Sequence, residues 1–424
     1  MGGSRFQIDA DFQSEKCVGD TSSAGDADRI SRLPDDILLD ILSLLSLKES
    51  ARTSVLSSHW INLWKHTPSL DFDDAQASID KLYNQPDLRK GERRKYMRWV
   101  DSVCRSHESP TLKEFKIRFP INRSTRNAKS IARWLRFALS RRVRRLELDV
   151  EDLYGSSSKK CCFLNKLLNP RTLVDFGSLK ELMSLNNVDV SDGTIEFFLN
   201  TCPLLERLIV RFSKQMSRLE IYGPSLVLKH LEIKFCLGLE SLKVSVPSLT
   251  SLSVTSLNGL SLENVPMLVD LSVHVVDDNT SLYRLFHRLL SRCISQLQTL
   301  HLSLSNIGFS SAELDELWEL PQMPRLKKLV IEYCHKWYLY PREDRQQRNE
   351  YAIIKIPHRH LKVFEFRGYY GCSNDAGLIS YVLENCVVLE KIIIDHCFTL
   401  GNSDSESKKW KKLQERMRNK SLHH

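Results

Sequence analysis

One pattern constrains this chain more than any other: apolar-x-x-Leu-x-apolar, which returns repeatedly from residue 112 onward. Copies begin at Leu112, Val143, Leu205, Leu228, Leu249, Leu268, Leu297, Leu326, Leu361 and Leu389, with a weaker one at Leu179. In the first copy Phe115 and Ile117 fill the last two apolar places, and in the second Leu146 and Leu148 do so. Residues two apart share one face of an extended strand, and so short a strand cannot bury that face alone. Neighbouring copies must therefore stack. Their starts lie 19 to 36 residues apart. That spacing leaves room for the long return that parallel strands require.

A short alternating segment every roughly 20–30 residues is the signature of leucine-rich repeats, with one strand per repeat. The starts at 205, 228, 249 and 268 lie 23, 21 and 19 residues apart, too close for a substantial return helix. Secondary strand-like copies, such as Leu239 to Val244, fill these gaps. Longer gaps carry helix-like stretches at 194–201, 282–291 and 378–385. Two segments resemble each other, 192–208 and 376–392, and place Cys202 and Cys386 alike. A small buried side chain before a strand explains both thiols; no histidine or acid partner stands near for nucleophilic chemistry. The 11 cysteines include no C-x-x-C pair, so reduced thiols in the nucleus or cytoplasm are expected. In the tail 408–420, Trp410, Leu413 and Met417 fall on one helical face among basic residues, as a capping helix or a loose basic tail.

The N-terminal part has a different period. Leu33, Ile37, Ile41 and Leu44-Leu45 recur at helical spacing, and Leu38 and Leu42 widen the stripe. Pro34 suits the first turn, and Asp35 and Asp36 complement the positive end of the helix dipole. A second helix follows, with Ala51, Val55, Leu56, Trp60 and Leu63-Trp64 as its apolar positions. Helices this short cannot bury so many large side chains among themselves, so part of this surface must meet something else.

The run Leu33-Pro34-x-x-Ile37-Leu38-x-x-Ile41-Leu42-Ser43-x-Leu45, then Ala51 to Leu56, Trp60 and Leu63-Trp64, resembles the F-box of plant F-box proteins. Ser46 stands where a proline often follows, and Ser58-His59 replace more basic residues. The resemblance implies docking onto a Skp-type adaptor and, through it, a cullin and RING subunit. Leu33, Pro34, Ile37, Leu38, Ile41, Leu42 and Leu45 would form the adaptor-facing stripe, with Val55 and Trp60 supporting it. The region from His358 and His360 through Gly368 to Asp395 resembles the FBD module of plant F-box/LRR proteins.

The fold expected is α/β: a small all-α F-box followed by a leucine-rich-repeat solenoid, a curved parallel sheet with a convex side mixing helix and strand. The expected boundaries are a disordered N-terminus (1–27), F-box (28–75), helical linker (76–110), repeats (111–350), FBD-like repeats (351–400) and a basic tail (401–424). The implied role is substrate recognition in a ubiquitin ligase, with no cofactor and no catalytic residue in this chain. From the repeat register, a protein substrate would meet Lys229, His230, Glu232, Thr250, Ser253, Gln298, His301 and Lys327.

Nothing in the chain matches a phosphate-binding glycine loop, H-E-x-x-H or G-x-S-x-G. Charge offers an alternative reading. Residues 89–145 hold 19 Lys/Arg against 4 Asp/Glu, whereas residues 1–88 hold 8 against 15. Arginines interleaved with Tyr96, Trp99, Trp134 and Phe137 would suit nucleic acid or an inositol phosphate. The competing explanation makes Tyr96, Val100, Val103, Ile131, Trp134, Leu135 and Ala138 the core faces of two amphipathic helices, with the arginines solvated.

Overall fold

The computed structural model describes residues 30–73, 89–119, 125–150, 176–186, 190–255, 259–275, 293–305, 323–334, 358–369 and 373–396. The N-terminus 1–27, the helix-like stretch 282–291 and the tail 401–424 lie outside the described residues. The chain divides into two compact units, Met1–Thr67 and Pro68–His424.

The first unit holds α1 (Asp35–Ser43) and α2 (Leu47–Arg52), with short 3-10 turns at Ile30–Arg32, Thr53–Val55 and Leu63–His66. Pro34 precedes α1, and its carbonyl accepts from the amides of Ile37 and Leu38. Asp35 and Asp36 occupy the first turn. Ser46 caps α2: its hydroxyl accepts from the Glu49 amide, and the Glu49 carboxylate accepts from the Ser46 amide at 3.0 Å. The core is Leu38, Leu42, Trp60 and Leu63. The buried Ser50 hydroxyl donates to the Leu42 carbonyl at 3.0 Å and ties α2 to α1.

In the second unit β1 (Ser69–Asp71) is followed by α3 (Arg89–Ser106), β2 (Glu114–Arg118), α4 (Thr125–Ser140), β3 (Arg145–Asp149), β4 (Glu181–Asn186) and α5 (Asp192–Thr201). Then come β5 (Arg207–Arg211), β6 (Arg218–Tyr222), β7 (His230–Lys234), β8 (Ser241–Ser245), β9 (Ser251–Thr255), β10 (Leu260–Leu262) and β11 (Asp270–Val275). The chain continues through β12 (Thr299–Ser305), β13 (Lys328–Cys334), β14 (Val363–Tyr369), α6 (Ser373–Asn385) and β15 (Lys391–His396). Twelve strands form one parallel sheet in the order β1-β2-β3-β4-β5-β7-β9-β11-β12-β13-β14-β15.

The sequence motif reads directly as rows across this sheet. Its central apolar place aligns Leu70, Phe115, Leu146, Leu182, Leu208, Leu231, Leu252, Leu271, Leu300, Leu329, Phe364 and Ile392 along the ladder. All are buried except Ile392 on the last strand, which is half-buried. The third place forms a parallel row that includes Ile117, Leu148, Val210, Ile233, Val254, Val273, Leu302, Ile331 and Phe366, all buried. The first place, from Leu112 to Leu361, is buried just before each strand. Three buried rows are what a five-residue strand needs to hold its position, since one residue of slip turns every one of them over.

Where the repeat starts crowd together, β6, β8 and β10 form a second parallel sheet in the order β10-β8-β6. β8 is the secondary copy expected at Leu242 and Val244. β10 begins at a turn that needs glycine: Gly259 has φ +72°, and a Cβ there would collide with the Glu240 carbonyl oxygen. Helices α5 and α6 occupy two of the longer gaps. Cys202 and Cys386 close them alike, donating their amides to Phe198 and Val382. Both cysteines are buried.

Candidate functional site

The outer surface of the first unit is built from the same helix as its core. Leu33, Ile37, Ile41 and Leu45 are between 36% and 46% exposed, and Leu44 is 85% exposed. Pro34 is exposed beside them. Leu38 and Leu42, expected on this stripe, are instead at 0% and 1% in the interior. The correction has a simple cause: a nine-residue helix with apolar residues on both sides turns one side toward Trp60 and Leu63 and leaves the other out. Trp60 is likewise interior, and its indole donates to the Ser31 hydroxyl at 2.7 Å. Val55, expected to support the stripe, is 87% exposed. Leu56 and Ile61 are exposed large side chains absent from the expected stripe. His59 lies 2.9 Å from Asp35 through Nε2, so the residue that departs from the basic pattern links the later segment to the start of α1.

The face of the large sheet opposite the apolar rows carries the expected substrate residues. Lys229, Thr250, Gln298 and Lys327 stand in one row at the strand entrances, fixed by successive amide-to-carbonyl bonds. His230 lies in the first strand row, and Glu232, Ser253 and His301 align in the central one. Several are engaged within the sheet. Lys229 contacts Glu206 at 2.8 Å, Lys327 donates to Gln298 at 3.0 Å, His301 meets Glu332 at 3.0 Å, and Glu232 takes both Arg211 and Lys234. The Ser253 hydroxyl is buried without a hydrogen-bond partner among the described residues. Burial, followed by the positive charges of Arg207 and Lys229, holds His230 below its ordinary pKa. At His274 burial acts first and Lys234 adds to it, while at His301 burial outweighs the opposing bond and charge of Glu332, so both imidazoles are held below their ordinary pKa.

On β1 to β5 the same face neutralises itself. Lys116 pairs with Asp71 and Asp73, Arg118 with Asp73 and Glu147, and Arg145 with Glu181 at 3.0 Å. The helices of the basic segment behave as core elements. Tyr96, Val100, Val103, Ile131, Trp134, Leu135 and Ala138 are all buried. Asp101 accepts from Arg133 at 2.7 Å and from the Trp134 indole at 2.6 Å, and Arg141 donates to the carbonyls of His107 and Ser109.

Thiol chemistry has no support at the cysteines placed here. Burial pushes Cys104 and Cys202 up to about 12, and Cys236 and Cys293 up to about 11. In the folded chain at about pH 8 these four thiols stay unalkylated by iodoacetamide over the time in which the urea-unfolded chain is fully labelled. Peptide mapping by mass spectrometry reads this, and fast labelling of Cys202 in the folded chain would overturn it.

The F-box domain family model matches residues 30–71, and the FBD family model matches residues 354–394. An F-box/LRR-repeat protein of Arabidopsis thaliana is 30% identical over 303 residues, covering 66% of this chain and 90% of the relative. An F-box/FBD/LRR-repeat protein of the same plant is 26% identical over 411 residues, covering 85% and 91%. A third Arabidopsis relative, F-box/LRR-repeat protein 13, is 25% identical over 421 residues, covering 87% and 90%.

Proposed function

The chain belongs to the F-box/LRR-repeat proteins, and from that premise we propose that it is the substrate-recognition subunit of an SCF-type (Skp–cullin–F-box) ubiquitin ligase. In this reading the helical unit docks on a Skp-type adaptor, which brings in the cullin and RING subunits. The twelve-stranded sheet is a leucine-rich-repeat solenoid that presents a protein substrate. The observation that carries the proposal is the exposed row Leu33, Ile37, Ile41, Leu44 and Leu45, backed by a core of its own. An exposed apolar row of that size on so small a unit calls for a partner. Burying what is still exposed of each side chain contributes about 0.5–1.5 kcal/mol, and more at Leu44, so the row acts as a whole against the costs of association.

The chain's share in catalysis is then positional. It raises the local concentration of substrate beside the charged ubiquitin-conjugating enzyme, while other subunits perform the transfer. Its expected place is the nucleus, the cytoplasm or both. The test is co-expression of the full chain with a Skp-type adaptor, a cullin and a RING subunit. We expect all four to elute from size exclusion as one species. Elution of the chain apart from a fully assembled adaptor–cullin–RING complex would contradict the proposal.

A further inference from the structure

The cations of the second unit are not spread evenly over the sheet. Outward-facing strand positions are largely paired, as described above, and so are Lys229, Lys327 and Lys362 at the later strand entrances, whereas the cations at the entrances of β2, β3 and β4 are largely unpaired among the described residues. Lys113, Arg144 and Lys180 occupy the same place before β2, β3 and β4, each amide bonding to the carbonyl of the preceding one or its neighbour. Arg142 lies two residues before Arg144, held by an amide bond to the Leu139 carbonyl. All four side chains are exposed. Lys113, Arg142 and Arg144 have no ion pair among the described residues, and Lys180 has only Glu206 at 3.7 Å, which already holds Lys229 at 2.8 Å.

The borders of this patch set its shape. On the side toward the sheet face it is limited by Glu114, Glu147 and Glu181, all engaged with arginines. Along the row it is limited by Glu206. What remains is one line across three strands, about 10 Å long at the ladder spacing. A duplex or a long single strand gains its affinity from many phosphate contacts, and four cations bounded by carboxylates supply too few. An extended polypeptide rises about 3.3 Å per residue, so a run of three or four acidic residues matches the line in both length and charge.

We propose that the entrances of β2, β3 and β4, through Lys113, Arg142, Arg144 and Lys180, hold a short acidic segment of a protein partner. This names a substrate class for the adaptor role proposed above and rests on that reading. The full chain is titrated with a short fluorescein-labelled oligoglutamate at near-physiological salt, followed by anisotropy. One variant carries Lys113→Glu, Arg144→Glu and Lys180→Glu. A control carries Arg94→Glu, Arg98→Glu and Lys129→Glu, which removes the same net charge from exposed positions on α3 and α4.

The entrance variant is expected to bind about tenfold more weakly, with the control within about twofold of the parent. Equal losses in both variants would mean a response to net charge alone and would overturn the proposal. So would absence of binding by the parent, or tighter binding of an oligodeoxythymidylate with the same dependence on Lys113, Arg144 and Lys180. Co-purification of the Skp-type adaptor is followed in parallel. It stays intact in both variants, so its loss from the parent chain would fault the adaptor reading separately.

Discussion

Replacing Ile37 and Ile41 with aspartate abolishes co-purification of a Skp-type adaptor and leaves the helical unit folded. Both side chains are more than a third exposed, on the side of α1 away from Trp60 and Leu63. Aspartate there meets water in the free chain and an apolar partner in the complex. Losing two half-buried anchors removes about 1–3 kcal/mol of further burial, and desolvating two carboxylates against an apolar partner costs several kcal/mol more. Together these amount to at least about two decades in affinity. Leu38→Ala is the contrasting change. It opens a cavity in a core of four large residues and costs about 2–5 kcal/mol of folding stability. Trp60 fluorescence during urea unfolding separates the two cases: its transition is unchanged in the aspartate variant and shifts to lower urea in Leu38→Ala. Retention of adaptor by the aspartate variant would remove this face from the interface.

The second large effect lies at the other end of the chain. Phe364→Ala lowers stability by about 3–5 kcal/mol, the usual cost of deleting a fully enclosed phenyl ring. Phe364 is 0% exposed, its register partners are Leu329 on β13 and Ile392 on β15, and its ring stacks near Phe366. Val363 on the same strand faces outward and is half-buried, so Val363→Ala changes stability by well under half as much. Urea titration followed by far-ultraviolet circular dichroism measures both. Equal, small effects would mean that β14 is not packed as a repeat strand.

Much of the fold could be read in the sequence because the repeat speaks at short range. Leu228, Leu231 and Ile233 occupy three buried rows, and their spacing in the chain is the spacing of the rows. The close repeat starts near 228 and 249 announce a connection too short for a helix, and β8 occupies it.

What could not be read depends on contacts between distant parts of the chain. The apolar pattern of α1 is broad enough to serve either side. Only the return of Trp60, 22 residues after Leu38 and 18 after Leu42, decides that both go inward. On the sheet face, Arg145 finds Glu181 and Arg211 finds Glu232 across one repeat, so which charges are left over follows only from register. Segment 89–145 carries a large formal surplus. Yet its apolar faces are core, and Lys113, Arg142 and Arg144, which have no ion pair among the described residues, stand at the strand entrances.

Hydrogen–deuterium exchange of the full chain with and without a Skp-type adaptor tests the central claim most directly. The expected result is new protection confined to the first unit, strongest from Leu33 to Leu45 and around Val55 to Ile61, with exchange of the strands from β2 to β15 unchanged. Protection on the strands with none in α1, or no protection anywhere at saturating adaptor, would contradict it.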